Sequence, residues 1–99
     1  MRLLEKEILI IKKIFSDEIK GSYDLKLFGS RTDDMKKGGD IDLLLVVDPI
    51  YLKISRIAKY KILDQLYQEL GEQKIDIVIT TAELLEKDSF LSQIQGIEL

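Results

Sequence analysis

The chain has 99 residues, 45% of them hydrophobic and 33% charged, which suits one domain with a single core over residues 1–99 and excludes a disordered, fibrous or membrane chain. Its formal net charge of −3 argues against affinity through phosphate neutralisation, so no direct nucleic-acid binding is expected and the partner is a protein or a small molecule. Cysteine and histidine are both absent, which removes disulfides, thiol nucleophiles, zinc sites and imidazole chemistry and leaves only hard, oxygen-bound metals.

From Arg2 to Lys20 the apolar residues Leu4, Ile8, Ile11, Phe15 and Ile19 recur at helical spacing, which predicts one amphipathic helix. The same stretch carries charges where a signal peptide needs a clean apolar run, and no segment of ~18 apolar residues follows, so a cytoplasmic protein without membrane association is expected. Gly21-Ser22 break the helix, and Leu25 to Phe28 form a short alternating strand that stops at Gly29. Residues 29 to 39 are polar and end in Gly38-Gly39, with Ser30 standing as the N-cap of one or two helical turns. "DIDLLLVVD", residues 40 to 48, is the strongest strand, apolar on both faces from Leu43 to Val47 as a doubly covered central strand would be, and Pro49 ends it.

A long helix from Leu52 to Leu70 carries the ridge Ile54, Ala58, Ile62, Leu66, Leu70 and meets Gly71 in C-cap position. A second row, Tyr60, Leu63 and Tyr67, faces either the first helix or a partner. Lys74 to Thr80 read as a third strand, Thr81 caps a short helix, and the last residues read as a helical turn and a tail. The order αβαβαβα implies one α/β domain with helices on the sheet.

That order has a geometric consequence. On a strand, residues i and i+2 share a face about 6.5 to 7 Å apart, so Asp40 and Asp42 project the same way. If the long helix crosses over between parallel strands two and three, both strands begin at one sheet end and Asp76 joins the first two carboxylates. Gly29 and Ser30, at the end of strand one, fall at that same edge. Clustered carboxylates repel unless a cation neutralises them, which favours Mg²⁺ or Mn²⁺ completed by phosphate oxygens. Gly29 allows close approach of a phosphate, and Ser30 offers a hydroxyl and a backbone N–H. Each feature alone also has a plainer reading as a turn or an edge charge; their joint convergence is what points to metal-assisted phosphoryl chemistry.

The combination Gly29-Ser30, about ten residues, Asp40-Ile41-Asp42, then Asp76 resembles the minimal nucleotidyltransferase domain of the DNA polymerase beta-like superfamily, over essentially the whole chain. The resemblance implies a small mixed sheet flanked by helices in a polymerase beta palm-like fold. It also implies that Gly29, Ser30 and Arg31 bind a nucleoside triphosphate such as ATP, and that Asp40, Asp42 and Asp76 hold Mg²⁺. Members often pair with a helical HEPN protein as the antitoxin of a toxin–antitoxin module and adenylylate it. Here Gly39 stands immediately before Asp40 where many relatives carry serine, and Asp33-Asp34 add negative charge to the loop. Three activities follow as expectations: transfer of AMP to a partner protein, neutralisation of a helical partner by occlusion alone, or transfer to a small molecule with help from a separate substrate-binding subunit.

Overall fold

A computed structural model describes residues 5–28, 41–71, 74–89, 91–93 and 96–99. In chain order the elements are α1 (Glu5–Glu18), β1 (Tyr23–Phe28), β2 (Ile41–Val47), a 3₁₀ turn (Pro49–Tyr51), α2 (Leu52–Leu70), β3 (Ile75–Thr80), α3 (Ala82–Lys87), a second 3₁₀ turn (Leu91–Gln93) and β4 (Ile97–Glu98). The strands form one mixed sheet in the order β3-β2-β1-β4, with β2 parallel to β3 and β1 antiparallel to both β2 and β4. No described helix is long and apolar enough to cross a membrane.

Helix α2 has the bounds its ridge predicts. Pro49 opens the 3₁₀ turn that leads into it, and the Gly71 N–H closes on the Tyr67 carbonyl at 3.0 Å. Ile62 and Leu66 on the ridge are fully buried, Ala58 and Leu70 pack at the core margin, and Ile54 is exposed. Of the second row, Leu63 packs on the core while Tyr60 and Tyr67 are exposed. Ile11, Ile14 and Phe15 of α1 join Ile62 and Leu66 over Leu25, Leu27, Leu43, Leu45 and Ile77, so both long helices cover one face of the sheet. Burying each of these large side chains contributes about 1.5–3 kcal/mol. At the rim of that interface the Gln65 amide donates to the Glu18 carboxylate at 2.9 Å, and Lys61 pairs with Glu18 at 3.5 Å.

Several expectations need correction. The helix read from Arg2 to Lys20 ends at Glu18, its expected first residues, 2–4, lying outside the described residues, and β1 starts at Tyr23, ahead of its apolar core, because Tyr23 pairs with Val47. Among the described residues, α1 and α2 cover one face of strand β2. Ile41, Leu43, Leu45 and Val47 enter the helix-side core, whereas Leu44, though only 2% exposed, lies by alternation on the other face and outside that cluster. After the second 3₁₀ turn the tail is a strand, β4, whose Glu98 and Ile97 pair with Lys26 and Leu27. Gly96 permits this approach, since a Cβ there would lie 3.1 Å from the Leu27 carbonyl oxygen. The helical turns expected after Ser30 lie outside the described residues.

Candidate carboxylate site

The face opposite the long helices carries Asp24, Lys26 and Phe28 from β1, Asp42, Leu44 and Val46 from β2, and Asp76, Val78 and Thr80 from β3. Across the strands these align in rungs, and the outermost is Phe28, Asp42, Asp76. Asp42 and Asp76 are direct register partners on adjacent parallel strands, a backbone separation of about 4.8 Å. Asp42 is half-buried and Asp76 exposed. The next rung places the apolar Leu44 and Val78, and the amine-bearing Lys26 of β1, beside the pair.

Local structure explains why the two carboxylates meet. The crossover through α2 returns the chain parallel to β2, so β2 and β3 begin at one end of the sheet. The Ile41 N–H donates to the Lys74 carbonyl at 2.9 Å, which pins the two strand starts together one residue before the pair. Like charges directly opposed in a sheet are unfavourable. Two hard oxygen donors held in this relation fit a divalent cation such as Mg²⁺, and no other donor chemistry is available in a chain without histidine or cysteine.

Among the described residues no group of three acidic side chains that could hold a metal is formed. The structure thus brings together two of the expected site residues, Asp42 and Asp76. Asp40, Gly29, Ser30 and Arg31 lie outside the described residues. Strand β1 ends at Phe28, next to Gly29 in the chain and paired with Asp42, so the expected Gly-Ser motif is attached to the site rung. Sequence reasoning did not single out Phe28. Only the antiparallel register of β1 on β2 places it beside Asp42, and the connection between those strands is too long to set a register by turn type.

The fold and this rung define a class of small α/β domain that presents carboxylates from the starts of two parallel strands on one face of the sheet. A family model described as a nucleotidyltransferase domain matches residues 8–97, and the chain belongs to that family. This agrees with the polymerase beta-like superfamily that the Gly-Ser and Asp-x-Asp motifs resemble. No curated protein and no solved structure matches the chain.

Proposed function

We propose that this nucleotidyltransferase domain moves AMP from ATP to a hydroxyl of a partner protein. The observation that carries the reading is the in-register pair Asp42 and Asp76 at the starts of adjacent parallel strands. Gly29, Ser30 and Arg31 would seat the triphosphate, Asp40 and Asp42 would hold Mg²⁺ or Mn²⁺, and Asp76 would complete the site next to the acceptor. A bound divalent ion would supply charge neutralisation between phosphate oxygens and carboxylates. In the transfer the acceptor oxygen forms a bond to the α-phosphorus, the bond from that phosphorus to the bridging oxygen breaks, and pyrophosphate leaves. The acceptor proton passes to Asp76 or to water. The helical partner is that implied by the family resemblance, a HEPN-type protein neutralised by its antitoxin.

A second reading is supported by the loop sequence. Gly39 before Asp40 and the acidic Asp33-Asp34 weaken the case for phosphate binding and favour a module that neutralises its partner by occlusion alone.

One experiment separates them. The protein is incubated with the product of its neighbouring gene, ATP and Mg²⁺, and the partner is weighed by intact-mass spectrometry. Gain of one AMP moiety that is lost with Asp42→Asn, in a variant with unchanged circular dichroism, supports transfer. A stable complex that the variant retains, without any mass gain, refutes transfer to this partner and supports occlusion.

A further inference from the structure

Helix α2 packs on the sheet through one face and carries an ordered stripe on the other. At about 100° per residue, Lys53, Ile57, Tyr60, Asp64 and Tyr67 fall within about 80° of arc, opposite the buried Ser55, Ile62 and Leu66. Their alternating spacing of four and three residues, which extends back to Ile50, is the seam spacing of paired helices. Ile50 is 80% exposed, Tyr60 75%, Ile57 65% and Tyr67 42%. Four large apolar side chains in one line are more than scattered surface exposure.

The charge along the helix is graded. Residues 52–61 contain Lys53, Arg56, Lys59 and Lys61 and no carboxylate, while Asp64 and Glu69 fall in the other half. Helix stability alone selects the reverse arrangement, with acids in the first turn and bases in the last, and α2 has neither. Lys53 makes no ion pair among the described residues, and Asp64 accepts from the amide of Gln68 at 3.0 Å. A stripe that is basic at one end and acidic at the other complements a copy of itself turned end for end.

One register satisfies every position. With a two-fold axis between residues 58 and 59, Lys53 meets Asp64 of the second copy, Ile57 meets its Tyr60, and Ile50 meets its Tyr67, each contact being made twice. A cleft of about 500 Å³ supports this register, since Lys53, Arg56, Ile57 and Tyr60 line it. These four stand at i, i+3, i+4 and i+7, the arrangement that forms the hole for a side chain from a facing helix. The centre of the hole lies between Arg56 and Ile57, where the register brings Tyr60 of the second copy, with the Arg56 guanidinium beside its ring. Arg56 and Lys61 lie on opposite flanks of the stripe, and like flanks meet in an antiparallel pair, so these cations are kept apart.

We infer that two copies of this chain pair antiparallel through α2, with Tyr60 of each in the hole of the other and Lys53 of each on Asp64 of the other. The carboxylate rung, on the opposite face of the sheet from the helices, stays uncovered in such a dimer. The inference concerns assembly and stands whether or not Asp42 and Asp76 support transfer.

The test is analytical ultracentrifugation of the whole protein from about 1 μM to about 1 mM. A dimer forms, and Tyr60→Glu, which would bury an unpaired charge in the hole, leaves a monomer with unchanged circular dichroism. Lys53→Glu and Asp64→Lys each weaken self-association about tenfold or more, because like charges then oppose at two places. An equimolar mixture of these two variants restores it, since the introduced charges oppose each other and the native Asp64 and Lys53 oppose each other. Positions 53 and 64 are about 16 Å apart along one helix, so rescue by mixing reports a contact between chains. A monomer throughout the range, a dimer indifferent to both charge reversals, or a mixture no tighter than its components overturns the inference. So does a monomer whose complex with the neighbouring gene's product is broken by Tyr60→Glu, which assigns the stripe to that protein.

Discussion

Replacing Asp76 by asparagine should stabilise the metal-free protein. The carboxylates of Asp42 and Asp76 project from one rung of adjacent strands, so their charges are about 5 Å apart. Two unit charges at that separation repel by about 0.8 kcal/mol in water and by about 3 kcal/mol at an effective dielectric constant of about 20. Asp76 is exposed and Asp42 half-buried, which places the pair near the aqueous limit. A gain of about 1 kcal/mol is expected at neutral pH and low salt in chelator, equivalent to about 4–8 °C in melting temperature for a domain of this size. Thermal unfolding followed by circular dichroism measures it. Molar sodium chloride should reduce the gain by screening, and millimolar Mg²⁺ should raise the melting temperature of the wild type more than that of the variant, by binding linkage. A variant no more stable than wild type in chelator, or equal Mg²⁺ shifts in both proteins, refutes the repulsive pair as the basis of a cation site.

Gly21 has φ +79°, and a Cβ there would lie 2.5 Å from Tyr51 Cε2, so Gly21→Ala should destabilise by at least about 1–2 kcal/mol in urea denaturation; a change near zero would show that this close approach is absent in solution. The Ser55 hydroxyl is buried without a hydrogen-bond partner among the described residues, and Ser55→Ala should stabilise by about 1 kcal/mol, whereas a loss of similar size would reveal a partner for it. Burial, and then the negative charge of Asp17, push the Tyr23 phenol above its ordinary pKa of 10.0. Above that pH the unfolded chain releases a proton that the folded protein keeps, so stability falls as pH rises, and Tyr23→Phe should make the alkaline decline in urea midpoint shallower. Parallel declines in both proteins would contradict that assignment.

Much of the architecture was legible because α2 is bounded by strong local signals. Its ridge, Pro49 before it and Gly71 after it specify both ends, and Thr81 does cap α3, accepting the Leu84 N–H at 3.2 Å. Given α2 as a crossover, the meeting of Asp42 and Asp76 follows from strand direction. Strand β4 was not legible, since two residues cannot display alternation and its stability comes from Gly96 passing close to β1. Leu44, 2% exposed on the face away from α1 and α2, agrees with the reading of β2 as apolar and buried on both faces. The other half of the candidate site, Gly29, Ser30, Arg31 and Asp40, remains a matter of motif, and its geometry lies outside the described residues.

The relation between core and site explains how two like charges can be held side by side. Ile75, Ile77 and Ile79 are buried against the helices, while Asp76 lies between the first two and faces the other way. Sliding β3 by one residue would turn Asp76 into the helix-side core and expose the isoleucines. Each isoleucine lost from the core costs about 1.5–3 kcal/mol, so the three together outweigh several-fold the repulsion of about 1 kcal/mol between the carboxylates. The register is therefore set by apolar burial on one face, and the carboxylate pair on the other face is carried along with it. A cation is not needed to assemble the pair, so the protein should reach its folded state before binding metal, with the repulsion held ready to be relieved when the cation arrives.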